Sequence, residues 1–96
     1  MRIKTALVVL ILAATAWAAH TVNLSWAAVP YATGYDVYRS EVSGGPYKEM
    51  AVVKDPEYTD STVQAGKTYY YVTTSVSKAG QESAYSQEIT VKVPTP

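Results

Sequence analysis

The 96-residue chain has no cysteine and no phenylalanine, and its one histidine is His20. Without cysteine there are no disulfides, no thiolate nucleophile, no thiolate metal site and no lipid attachment through a cysteine. A domain of this size without disulfides holds itself by packing and strand pairing alone, near the lower limit for doing so. Charge of one sign is also lacking. Eight basic residues balance eight acidic ones, and no run of like charge occurs. No basic field exists to attract nucleic acid or an anionic membrane, and the charges read as a mixed solvated surface. What the chain does have is tyrosine: nine Tyr stand beside two Trp. Tyrosine suits half-buried strands, where the ring packs and the hydroxyl reaches water or backbone.

The first residues read as an address. Arg2 and Lys4 make a cationic start, and Ala6 to Ala14 is an unbroken apolar run. Ala16-Trp17-Ala18 then sets small residues at the −3 and −1 positions of a peptidase site. This is the layout of a secretory signal peptide, cut between Ala18 and Ala19. It divides the chain into a signal at 1–18 and a domain at 19–96. The run is shorter than the roughly 20 apolar residues of a membrane span, so no span is expected after cleavage. The expected location is secreted, periplasmic or at the cell surface.

From His20 onward the hydrophobic period is two. Val22, Leu24 and Trp26 alternate with small polar residues, and Tyr35 and Val37 repeat the pattern before Arg39. Ser43-Gly44-Gly45-Pro46 is the clearest turn, and Tyr47 to Val53 follows as a strand. Tyr58 to Asp60, Thr68 to Ser77 and Ile89 to Val93 complete six short strands. Six strands with turns between them predict an all-β, antiparallel sandwich or barrel.

These pieces resemble the fibronectin type III domain, an immunoglobulin-like β-sandwich. Val22-x-Leu24-x-Trp26 is similar to the family's strand B with its core Trp, and Gly34-Tyr35-x-Val37-Tyr38-Arg39 to its strand C. Val63-x-Ala65-Gly66-x-x-Tyr69-x-Tyr71 resembles the corner that opens strand F. Tyr58-Thr59-Asp60, Gly80-x-Glu82-Ser83 and Tyr85-Ser86 are similar to variants in bacterial exported proteins. The resemblance covers roughly residues 21 to 93. It implies structural roles for Trp26, Tyr35, Val37, Tyr69 and Tyr71, with the Tyr69 hydroxyl bonded to backbone a few residues upstream. Three departures stand out. Strand A is missing, because only Ala19 to Thr21 precedes strand B after cleavage. Thr73 and Ser75 occupy inward positions that are usually apolar. The loop at Lys78 to Glu82 lacks an Arg-Gly-Asp motif, so integrin binding does not carry over.

No catalytic set is legible. His20 lies beside the cut site, and no nucleophile elbow or phosphate-cradling loop occurs. Asp55, Glu57 and Asp60 cluster near a turn without the spacing of a calcium loop and read as solvated acids. Asn23-Leu24-Ser25 matches a glycosylation sequon inside a strand. No cofactor or metal is expected. If Tyr35, Val37, Tyr69 and Tyr71 face the core, then Tyr38, Tyr70, Val72 and Val76 face outward. That stripe is a candidate contact site for a protein or polysaccharide, or a set of pairs that only strengthens the sheet. The expected function is an exported, non-catalytic module for protein binding or for structural and adhesive contacts. The alternatives are a pilin-like assembly subunit completed by strand exchange and a carbohydrate-binding accessory using Tyr38 and Tyr70. Self-association through the bare strand B edge belongs to the second class.

Overall fold

The computed structural model describes residues 11–16 and 20–95. Residues with period-two alternation form strands, and the Gly- and Pro-bearing segments between them form the turns. Among the described residues the strands are β1 (Ile11–Ala16), β2 (Val22–Trp26), β3 (Gly34–Ser40), β4 (Lys48–Val53), β5 (Glu57–Asp60), β6 (Thr68–Val76) and β7 (Ile89–Lys92). One sheet has the order β1-β2-β5 and the other β4-β3-β6-β7, with every pairing antiparallel.

The two sheets face each other across a core built from alternate positions. Val22, Leu24 and Trp26 come from β2, Tyr35 and Val37 from β3, Tyr69 and Tyr71 from β6, and Val91 from β7. Register fixes which face each residue occupies. Tyr35 lies opposite Ser75 and Val37 opposite Thr73, so these four share the inner face. Trp26 meets Tyr35 edge-on, with ring centroids 5.5 Å apart. Tight packing extends to the backbone. A Cβ at Gly34 would lie 2.9 Å from the Val53 carbonyl oxygen, so only glycine allows β3 and β4 to approach there.

A first correction concerns strand A. Strand A is not missing from the full chain, because Ile11–Ala16 pairs with β2 from Ile11 opposite Trp26 to Ala16 opposite Val22. The β2 edge carries N–H and C=O groups that need partners. The Ile11–Ala16 stretch, Ile-Leu-Ala-Ala-Thr-Ala, has no proline, glycine or charge to resist extension. β1 also lies against β7. The basic start, Ala6 to Leu10 and the Ala18–Ala19 cut site lie outside the described residues.

Candidate functional site

Inner and outer faces of the β4-β3-β6-β7 sheet carry two clusters of acids and tyrosines. The inner cluster follows from strand phase. Arg39 is two residues beyond Val37, so its side chain enters the space between the sheets. A guanidinium there needs a carboxylate, and Asp60, at the end of β5, provides it. Asp60 is 0% exposed, and its Oδ2 accepts from Arg39 Nη1 at 2.9 Å and from the Tyr71 hydroxyl at 2.7 Å. Its Oδ1 accepts from the Thr62 amide at 3.0 Å and the Thr62 hydroxyl at 2.7 Å. Burial raises the Asp60 pKa, but the bonds from Tyr71, Thr62 and Arg39 outweigh it and hold the carboxyl below its usual range. Burial, then the bond to Asp60, pushes the Tyr71 hydroxyl far above an ordinary phenol. The Arg39 guanidinium stands 4.7 Å from the centre of the Tyr69 ring. Asp60 is therefore a buried hub between the sheets, not the solvated turn acid expected from the sequence.

The corner before β6 lies beside this hub. The Tyr69 hydroxyl accepts from the Gln64 amide at 2.9 Å. Gly66 takes φ +82 in the turn, a conformation that favours glycine. Tyr35 does the same work at the other end, accepting from the Val29 amide at 2.8 Å. Trp26, Tyr35, Val37, Tyr69 and Tyr71 are all buried in the core. Thr73 and Ser75 do face inward, and the Thr73 hydroxyl finds no partner among the described residues.

The outer cluster depends on the segment between β6 and β7. Residues 82–88 run along β6 as an irregular continuation of β7. The Ser83 amide donates to the Ser75 carbonyl and the Ser86 amide to the Thr73 carbonyl. Two residues of β6 thus match three of the segment, which is a bulge. The Ser83 and Ser86 hydroxyls fill the gaps by accepting from the Ser75 and Thr73 amides, both at 2.9 Å. Bulging turns Glu82 and Tyr85 onto the outer face. Glu82 Oε1 accepts from the Tyr38 hydroxyl at 2.5 Å and the Thr74 hydroxyl at 2.8 Å. The Tyr85 ring meets Tyr38 edge-on at 5.2 Å and Tyr47 at 5.1 Å. Glu88 gathers the neighbouring turn, accepting from the Ser43 hydroxyl, the Gly44 amide and the Tyr47 hydroxyl.

Electrostatics on this face run opposite to those of the hub. Asp36, 6% exposed, sits near Glu82 and Glu49, and the Tyr38 hydroxyl stands 3.5 Å from its Oδ2. Burial, then Glu82 and Glu49, pushes its carboxyl up to about 6. The Tyr38 hydroxyl is held far above the phenol range by burial and by Glu82. Tyr47 is raised to about 12, chiefly by its bond to Glu88.

Tyr38, Tyr70, Val72 and Val76 do share the outer face, since Tyr38 lies opposite Val72 and Ser40 opposite Tyr70. Their exposure differs. Tyr38, Tyr70 and Val76 are half-buried, whereas Val72 is 1% exposed beside Tyr38 and is not available for contact. Tyr85, at 50%, is the accessible ring of the cluster. Sequence alternation does not assign its face, because the bulges in 82–88 break the period. Among the described residues no group of three or more His, Asp or Glu side chains is placed to hold a metal, and no helix is long and apolar enough to cross a membrane.

No family model matches the chain. It is 45% identical over 69 residues to an amylopullulanase of Thermoanaerobacter thermohydrosulfuricus, covering 71% of this chain and 5% of that enzyme. It is 40% identical over 78 residues to a poly(3-hydroxybutyrate) depolymerase of Ralstonia pickettii, covering 81% of this chain and 15% of that enzyme. The chain thus spans a small part of the curated relatives it matches. Among solved structures, an Fn3-like protein from Clostridium thermocellum superposes with a TM-score of 0.77 at 40% identity, covering 86% of this chain and 88% of that one. With an all-β sandwich and a relative matched over nearly its whole length, the chain belongs to the fibronectin type III-like family.

Proposed function

We propose that the chain is an exported, non-catalytic accessory module, freed from residues 1–18 by a cut after Ala18, that makes its contacts through the outer face centred on Tyr85. The observation that carries this reading is the way Tyr85 is held. A ring 50% exposed is braced edge-on by two others, Tyr38 and Tyr47, whose hydroxyls are tied to Glu82 and Glu88. Such a patch keeps an apolar ring at the surface with little side-chain entropy left to lose on binding. Two of the acids are engaged internally, Asp60 with Arg39 and Tyr71, and Glu82 with Tyr38 and Thr74. Relatives in which the matching region is a small share of a large enzyme support an accessory role, and bacterial polymer-degrading enzymes among them support export.

The contacted material is a surface protein in the leading reading. A polysaccharide is the second, favoured by the amylopullulanase relatives. The exported protein is incubated with envelope proteins and, separately, with soluble pullulan, and Tyr85→Ala is compared with the parent. Retention on envelope protein that falls at least tenfold in Tyr85→Ala is the expected result. Retention on pullulan alone selects the second reading, and equal retention of both proteins removes the Tyr85 face from consideration.

A further inference from the structure

The edges of the two sheets are not equally protected. β4 carries Lys48 and Glu49, β7 carries Lys92 and is followed by Pro94, and β5 carries Glu57 and follows Pro56. Charges and prolines of this kind keep an edge from pairing with another chain. β2 has neither, and no charged residue occurs from Thr21 to Tyr35. It is covered instead by β1, which lies wholly within the segment ahead of the Ala18–Ala19 cut. Cleavage leaves β2 and β5 as a two-stranded sheet, which is marginal on its own.

Backbone parity shows what that edge presents. The Trp26 amide donates to the Pro56 carbonyl on the β5 side. Backbone groups alternate along an antiparallel strand, so those of Val22, Leu24 and Trp26 point to β5, and those of Asn23 and Ser25 point to β1. We propose that removal of the N-terminal segment opens the β2 edge and that a second copy of this chain closes it, β2 against β2, antiparallel about a two-fold axis at Leu24. In that register Asn23 lies opposite the partner's Ser25, and each pair exchanges both of its N–H···O bonds. Val22 lies opposite the partner's Trp26, and no charge meets a like charge. The result is one sheet of order β5-β2-β2-β5, an isologous contact that closes on itself. The proposal rests on the export reading above.

The test uses the exported protein. Intact mass first reports whether residues 19–96 are what is present, and retained Met1 overturns the export reading and this proposal together. With the cut established, sedimentation equilibrium is expected to show a monomer–dimer equilibrium, and amide exchange at Asn23 and Ser25 to slow with concentration while Leu24 stays protected throughout. Asn23→Pro removes a donor on the open side only, so it is expected to weaken dimerisation at least tenfold while Trp26 fluorescence still reports a folded core. The pair Asn23→Lys and Ser25→Lys keeps the amides but sets like charges opposite each other, and is expected to do the same. A concentration-independent monomer overturns the proposal, as does association that survives both sets of changes. A complex containing a strand from a different protein in place of the second copy overturns it as well.

Discussion

Asp60 and Asp36 are both buried aspartates beside a tyrosine hydroxyl, yet the fold treats them in opposite ways. Asp60 stands between the sheets facing Arg39, and its carboxyl is held below the usual range. Asp36 stands on the outer face between Glu82 and Glu49, and its carboxyl rises to about 6. Burial raises both, and the neighbour decides the net sign. A buried carboxylate with a cation and four hydrogen bonds anchors structure, because removing one partner strands the other. A buried carboxylate among carboxylates costs stability at neutral pH. Such a cost falls on the face where Tyr85 is exposed, consistent with an inner side that holds the fold and an outer side that makes contacts.

The comparison breaks most completely at Trp26, which packs against Tyr35 on the inner side. Trp26→Ala is expected to cost roughly 3–5 kcal/mol, comparable to the whole stability of a small domain, and to leave the protein largely unfolded by circular dichroism. Asp60→Asn is expected to cost about 3 kcal/mol in urea denaturation, since it leaves the Arg39 guanidinium without its counter-charge. Asp36→Asn sharpens the contrast by going the other way. It relieves the carboxylate cluster and is expected to stabilise by on the order of 1–2 kcal/mol above pH 6. Tyr69→Phe removes the single bond from Gln64 and is expected to cost roughly 1 kcal/mol, read as a lowered Tm. Tyr85→Ala is expected to cost about 0.5–1 kcal/mol, because the ring is half in water already but packs edge-on against Tyr38 and Tyr47.

The inner side was largely legible from the chain. Alternation from Val22 to Trp26 and from Tyr35 to Val37 assigns the core, and the resemblance of Val63 to Tyr71 to the family's corner implies the bond of the Tyr69 hydroxyl. The role of Asp60 as a hub has a signal in the chain. Arg39 is in phase with Tyr35 and Val37, and an inward arginine calls for an inward carboxylate, which the Tyr58–Asp60 alternation supplies. The outer side was less legible because it depends on irregular backbone. Residues 82–88 carry two extra residues relative to β6, so period-two phasing fails there and the roles of Glu82 and Tyr85 emerge only in three dimensions. β1 escaped for a different reason: an apolar run of Ala, Ile and Leu fits a signal segment and a covering strand equally well.

The pH dependence of the two aspartate variants tests the opposition most directly. Asp60 has a lowered folded pKa, so its contribution is present in full above the unfolded value of about 4 and is lost only as the pH falls below that, through the lowered folded value. Asp36 has a raised folded pKa, so its penalty is absent below about pH 4 and grows until about pH 6. Urea denaturation of the parent, Asp60→Asn and Asp36→Asn at about pH 3 and at about pH 7.5 separates them. Asp36→Asn is expected to match the parent at the lower pH and exceed it at the higher, while Asp60→Asn falls below the parent most strongly at the higher. An Asp36→Asn protein less stable than the parent at pH 7.5, or an Asp60→Asn protein equal to it, contradicts the division of labour between the two faces.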